Sequence, residues 1–284
     1  MNAEAIKITM KTRTKHPYTT LAMTATLVLG ALSLPGYAAD TVSANVGVGI
    51  GVAPAYEGSA HYVAQPVYDL NGHYDSQDWG EFSLGLTQGA RWQLPLSSPV
   101  GLAVLMDYDR GRDERIGTLG GHNTQLRGMG DLGGALEAGL ELSYQLTPFK
   151  VYVKGLQATR ERHYGGESLG YTAHVDMGVS GDYPITDQLT LTGNMYTTWA
   201  NGGYQRGYFG VTPLQASRSG FTAYHLGAGV KSMSLEAALN YQWTPSVAFQ
   251  TGVEVSRLMG DAADSPLVEK ALGGMAFVST SYHF

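Results

Sequence analysis

"VSANVGVGIGVA", residues 42–53, decides the fold class. Val42, Ala44, Val46, Val48, Ile50 and Val52 are apolar, and the residues between them, Ser43, Asn45, Gly47, Gly49 and Gly51, are small or polar. Strict alternation has period 2, which belongs to a strand with one apolar and one polar face. At ~3.3 Å per residue such a strand spans roughly 30 Å or more, and a tilted membrane-crossing strand needs about 9–11 residues.

The pattern recurs along the chain. In 81–92, Phe82, Leu84, Leu86, Ala90 and Trp92 face one way, and Glu81, Ser83, Thr87 and Arg91 the other. Similar faces occur at 134–146, 171–183, 235–243 and 247–257, with weaker versions at 61–70, 100–110, 149–159, 188–198 and 274–284. Turn signals such as "LPLSSP", "LTPF", "YPITDQ" and "WTPS" separate them. A soluble sandwich also alternates. Two features favour a membrane barrel instead. Charges sit in mid-strand on the polar face, and aromatics (Trp92, Tyr144, Tyr171, Tyr183, Tyr241, Trp243) gather near segment ends on the apolar face, as interfacial girdles do. Lipid cannot satisfy a free strand edge, so the sheet must close.

The expected fold is all-β, a closed antiparallel transmembrane barrel over 39–284. Eleven segments are clear, and single-chain bacterial barrels have an even number of strands, so ten to twelve are expected, with twelve favoured. "TAYHLGAGVKS", 222–232, alternates in one phase that flips before Leu235, and reads as a twelfth strand or as an extension carrying a bulge. Twelve strands counted this way put some long loops on the periplasmic side. The longer polar stretches, 111–133, 160–169, 199–222 and 258–272, read as loops.

Ahead of the barrel, residues 1–38 read as a cleaved signal peptide. Lys7, Lys11, Arg13 and Lys15 form a basic region, and Leu21–Leu34 is an apolar stretch too short for a helical span. Gly36 and Ala38 suit a cut after Ala38; a cut after Ala39 would place Tyr37 where a small residue is preferred. Removing a net basic segment leaves a chain more acidic than the −6 of the full sequence, which disfavours nucleic acid as a partner. With no cysteine, disulfides and thiolate chemistry are excluded. The 38 glycines, 18 tyrosines and 15% charged residues suit strands and turns.

Three loop stretches carry candidate contacts. "GRDER", 111–115, places Arg112, Asp113, Glu114 and Arg115 together, as a loop-anchoring ion-pair cluster, a partner contact or a solvated loop. "GGYQRGYFGVTP", 202–213, with Arg206, Tyr208 and Phe209, either folds into the barrel mouth, binds sugar or peptide, or stays exposed. "GDAADSP", 260–266, offers Asp261 and Asp264, but its spacing lacks the ligand number of a calcium loop, and a turn capped by Asp and Ser is the simpler reading. His163, His174, Asp176 and Ser180 form no recognisable nucleophile signature, so no catalysis, cofactor or metal is expected. Lumen charges (Glu81, Arg91, Glu137, Glu141, Lys150, Lys154, Asp176, Asp182, Glu236, Glu254) either line a narrow pore or pair and plug it.

"APAYEGS" (53–59), "GRDE" (111–114), "LRGMGDLGGALEAG" (126–139), "YFGVTPLQASRSG" (208–220), "GAGVKS" (227–232), "LMGDAADSPLV" (258–268) and the terminal "YHF" resemble, in order, the MipA/OmpV family, the MltA-interacting proteins of the outer membrane. The pattern departs mildly at Met129, Leu132 and His283. The resemblance implies a non-enzymatic outer-membrane protein. The name-giving member is described as a scaffold joining a murein transglycosylase to a murein synthase, and others as porin-like, adhesive or antibiotic-responsive. The alternatives are therefore a narrow channel for small polar solutes or a surface adhesin using 199–222. The last residues, with Tyr282 and Phe284 toward lipid, resemble the C-terminal signal read by the outer-membrane insertion machinery.

Overall fold

The computed structural model describes residues 40–118 and 121–284; the signal segment and the cleavage residues Ala38 and Ala39 lie outside the described residues. In order come β1 (Thr41–Pro54), β2 (Tyr62–Ser76), β3 (Gly80–Gly85), β4 (Gly89–Gln93), β5 (Val100–Asp109), β6 (Ile116–Thr118), β7 (Gly121–Asn123), β8 (Ala135–Leu146), β9 (Phe149–Ala158), β10 (Arg162–Tyr164) and β11 (Glu167–Gly170). There follow β12 (Ala173–Thr186), β13 (Leu189–Ala200), α1 (Gly202–Phe209), α2 (Pro213–Ser219), β14 (Gly229–Thr244), β15 (Val247–Leu258), α3 (Gly260–Ala263) and β16 (Leu272–His283). Twelve strands close into an antiparallel barrel in the order β1, β2, β3, β4, β5, β8, β9, β12, β13, β14, β15, β16 and back to β1. The ribbons β6–β7 and β10–β11 stand outside the ring.

The alternation of 42–53 becomes two faces. Val42, Val46, Val48, Ile50 and Val52 are exposed on the outside, while Gly47 and Gly51 are buried on the inside. The inward glycines follow from crowding: a Cβ at Gly49 would come within 2.2 Å of the Val278 carbonyl on β16. β16 is the closing strand. Its residues Ala276–His283 pair with Val52–Asn45, and the Phe284 N–H donates to the Ala44 carbonyl at 2.9 Å. Tyr282 and Phe284 project outward with their rings edge to face at 4.8 Å.

Three expectations change. The segment 81–92 is two strands. Gly85 pairs with Gly89, with Leu86–Gln88 as the turn between them, and Phe82 stacks on Trp92 at 5.5 Å. This turn preserves parity, so the alternation runs through it undisturbed and conceals the reversal. Second, of the two readings of 222–232 the extension carrying a bulge holds, and the segment is not a strand of its own. β14 begins at Gly229 and carries a bulge, with Thr198 opposite Ser232 but Trp199 opposite Val230. The extra residue is Lys231, and the bulge is the physical cause of the phase flip. Third, with these two changes every long connection leaves the same end of the barrel. The opposite end has short turns at 77–79, 94–99, 147–148, 187–188 and 245–246, together with the closing terminus.

Candidate functional site

The connections at the long-loop end fold together. Tyr56, Leu126, Met129, Val211 and Leu267, from four different loops, form one buried cluster. Phe209, Leu226, Leu258 and Ala262 form a second, and Leu132, Tyr164 and Leu169 a third, with Tyr208 packed against both. These loops leave strands spaced around the ring, so they can share a core only by meeting over the mouth. Local chemistry shapes them. Asn201 caps α1 by accepting from the Tyr204 N–H at 2.9 Å. α2 starts with a capping box between Thr212 and Gln215 and with Pro213 in its first turn, and ends on Gly220 in the left-handed region.

A buried ion pair ties the layer to the wall. Arg162, 4% exposed, donates to the Asp109 carboxylate, to the Gly133 carbonyl at 2.7 Å and to Thr172 Oγ1 at 3.3 Å. Asp109 also accepts from the Tyr208 hydroxyl and, at 2.7 Å, from the Gly111 N–H. Burial first, then Tyr204 and Asp109 nearby, push the Tyr208 phenol up, which keeps it a donor. On the wall Glu137 is 2% exposed, and its Oε1 has no hydrogen-bond partner among the described residues.

Each sequence candidate has a definite place. Arg112 lies in the layer, donating to the Tyr208 carbonyl and, at 2.9 Å, to the Tyr164 hydroxyl. Glu114 accepts from the Gly128 and Gly130 N–H groups at 3.0 and 2.9 Å, whereas Asp113 and Arg115 are exposed. Among the described residues these four make no ion pair with one another; the two that anchor do so through backbone groups and a tyrosine. Phe209 is 1% exposed. Arg206 borders an outer depression of about 320 Å³ with Tyr164, Glu167, Tyr224 and His225. Asp261 and Asp264 are exposed, and the turn there is held by Ser265, whose hydroxyl donates to the Phe209 carbonyl at 2.6 Å and accepts from the Leu267 N–H at 3.2 Å.

Beneath α1 lies a cavity of about 340 Å³ lined by Glu57, His174, Thr198, Tyr204, Lys231 and Glu254, among others. Lys231, turned inward by the bulge, pairs with Glu57 at 2.7 Å. Below it polar side chains pair along the inner wall, from strand to nearby strand. Arg91 and Lys150 share Glu141 at 2.7 and 3.5 Å, and Lys154 holds Asp176 at 3.0 Å, which also accepts from Thr198 at 2.7 Å. Asp182 accepts from Thr192 at 2.7 Å and Glu236 from Asn194 at 3.1 Å. Inward side chains near the layer are buried (Asp176 7%, Ser234 3%), while His73 and Glu81 near the short-turn end have side chains 49% and 46% exposed. The lumen is therefore covered over at the long-loop end, with the cavity enclosed beneath α1, and open at the other. Of the residues weighed for catalysis, His163 is exposed on β10, and His174, Asp176 and Ser180 lie along the inner face of β12.

Sequence reasoning missed Asp109, Arg162, Glu57, Lys231 and Glu269. Glu269 closes a clasp between loops: it accepts from the Ala60 N–H at 2.7 Å and from Gln125 Nε2 at 2.7 Å, with His61 at 3.3 Å. The Ala60 N–H above all, against a smaller opposing effect of burial and with help from His61, holds the Glu269 carboxyl below its ordinary value. A depressed folded-state pKa gives stability that is present above the unfolded value, about 4.3, and is lost as pH falls through the folded one. Proteolysis at 55–61 should therefore rise only on acidification below the ordinary carboxylate range, and Glu269→Gln should remove that step. A pH series of limited proteolysis with an acid-active protease checks it.

A family model described as MltA-interacting protein MipA matches residues 46–284. No curated protein sequence matches the chain. Among solved structures the chain is similar to the NanC porin, at 12% identity and TM-score 0.44 over 85% of this chain and 99% of that one. It is similar also to the translocator domain of the autotransporter NalP from Neisseria meningitidis, at 11% identity and TM-score 0.40 over 93% and 94%. A third is the outer membrane channel DcaP of Acinetobacter baumannii, at 9% identity and TM-score 0.39 over 88% and 99%. The chemistry of loops and lumen rests on this chain's own residues.

Proposed function

The chain belongs to the MltA-interacting protein MipA family, and from that premise we propose that it is a non-enzymatic outer-membrane barrel serving as an envelope scaffold. Its partners would be a murein transglycosylase and a murein synthase, held together during peptidoglycan remodelling. One observation carries the choice of scaffold over channel: the loops from around the ring share buried cores across one mouth. A lumen covered at one end by the loop layer serves conduction poorly, while the rim and the open lumen at the other remain available. In membrane barrels short turns face the periplasm and long loops the exterior. The open end then faces the murein, which is where such partners lie.

Crosslinking in native membranes followed by pull-down should recover a murein hydrolase and a murein synthase; repeated recovery of neither would overturn the scaffold reading. A narrow channel for small polar solutes is the second reading, favoured by the polar inner wall on which Lys154 pairs with Asp176, Lys150 with Glu141 and Asn194 with Glu236. Planar-bilayer recording separates the two, since the scaffold should give no steady conductance.

The terminus supports a further part of this reading, delivery by the outer-membrane insertion machinery. Deleting Phe284 removes both the aromatic pair with Tyr282 and the last bond to β1. The expected result is a lower yield of the folded, heat-modifiable species on gels, and unchanged yield would count against Tyr282 and Phe284 as an assembly signal.

A further inference from the structure

The barrel wall is low at one place. β3 has six residues and β4 five, where a strand needs about 9–11 to cross the apolar layer. Their neighbours β2 and β5 have 15 and ten. β3 therefore reaches only Asn71–Ser76 of β2, and β4 only Ala103–Met106 of β5. Beyond the hairpin tip, Tyr62–Asp69 is paired to β1 on one side and, among the described residues, to no strand on the other. Asp107–Asp109 of β5 is likewise paired to β8 alone.

The gap lies at the level of lipid. Tyr74, Phe82 and Trp92 form an aromatic row near the short-turn end. Leu86, at the tip, is four residues beyond Phe82, about 13 Å along the strand, whereas β2 continues about 40 Å from Tyr74 to Tyr62. The loop 110–134 crosses above. Its Gln125 is held by Glu269 at 2.7 Å and by His61 at 2.8 Å, and its Arg110 donates to the Leu86 carbonyl at 3.3 Å. The stretch without barrel strands is thus framed by the edge of β2, the hairpin tip, the end of β5 and the crossing loop, whose β6 lies close to β2.

Backbone groups on an edge facing lipid need partners, because hydrocarbon offers none. A strand from another chain is the usual partner for an edge. Here Pro66 sits in the middle of the unpaired run, and a residue without an N–H blocks strand addition. The rim is amphipathic: Tyr68, Leu84 and Leu86 are exposed outward, while Gln65 and Asp69 lie on the inner face of β2 and Arg110 reaches from the end of β5 to the hairpin tip. That pattern matches a molecule with a hydrocarbon chain and a polar head.

We infer that this gap is a lateral window which admits a membrane amphiphile from the lipid toward the lumen. The chain rests on Leu84, Leu86 and Tyr68, and the head group hydrogen-bonds to the free edge of β2 and to Gln65 and Asp69. The window stands whether or not the barrel binds murein enzymes.

The absence of cysteine makes single labelling sites clean. Gln65→Cys at the window and Ser180→Cys on β12 across the lumen, each carrying bimane, would be reconstituted in phosphatidylcholine vesicles. One set of vesicles contains phosphatidylcholine spin-labelled on its acyl chain, and the other receives aqueous iodide. Heat-modifiable mobility verifies folding of both variants, and Leu86→Cys, facing lipid, serves as the positive control. The expected result is acyl-chain quenching at position 65 several-fold above that at 180. Iodide quenching at 65 without acyl-chain quenching would make the gap a water-filled side pore, and quenching by neither would make it sealed. Either outcome overturns the window.

Discussion

Phe209→Ala should release the loop layer while leaving the barrel standing. The side chain is 1% exposed and packs with Leu226, Leu258 and Ala262, with Tyr208 and Val268 beside them. Truncating a buried Phe costs about 3–5 kcal/mol, from lost transfer energy plus the cavity left behind. That cost falls on the apolar anchor of α1, a helix of eight residues, too short to persist alone in water. The twelve strands keep their own ladders and do not depend on it. The expected result is rapid proteolytic nicking within 201–228 and 124–134, unchanged heat-modifiable mobility, and the appearance of steady conductance in planar bilayers. Leu214→Ala, at a side chain 42% exposed on α2, is the control and should stay within about 0.5 kcal/mol. If Phe209→Ala resists protease as well as the parent does, the layer is not the closure that the scaffold reading requires.

How much of this was legible before the fold was seen differs between wall and mouth. The wall follows period 2, and lipid on one side enforces that period along every strand, so Val46, Val48 and Ile50 declare their face without further information. Periodicity fails where a reversal preserves parity, as at Leu86–Gln88, because the pattern carries no mark of a change in direction. It fails in the opposite sense at Lys231, where one extra residue shifts the phase of a single strand and imitates the start of another. The mouth is held by contacts between residues far apart in sequence. Asp109 and Arg162 are 53 residues apart, and nothing local marks them as partners. α1 is hidden by its glycines, which have poor helix propensity. Gly203 and Gly207 are there for packing: a Cβ at Gly203 would meet the Leu169 carbonyl at 2.2 Å, and one at Gly207 the Leu169 side chain at 3.1 Å. α2, by contrast, announces itself. Thr212, Pro213, Gln215 and Gly220 spell a capped start and a left-handed stop within the stretch taken as loop.

The second large effect is expected at Arg162, where charge rather than volume is removed. Arg162→Met keeps much of the side-chain bulk but leaves the Asp109 carboxylate in a buried setting without its cation, close to the buried Glu137 on β8. Breaking a buried pair from one side costs about 3–5 kcal/mol, because the surviving charge is stranded, whereas an exposed pair contributes about 0–1 kcal/mol. Hydrogen exchange read over 110–134 and 160–172 should therefore show local opening easier by that larger amount, with the barrel strands unaffected. Asp109→Asn alone should cost less, since Arg162 keeps the Gly133 carbonyl and Thr172 as acceptors and the amide can still bond Tyr208. The double variant tests the electrostatic origin. If the stranded charge is the cause, Arg162→Met with Asp109→Asn should recover part of the loss and be more stable than Arg162→Met alone. Additive losses would instead assign the effect to packing of the arginine stem, and the pair would no longer count as the tie between the loop layer and the wall.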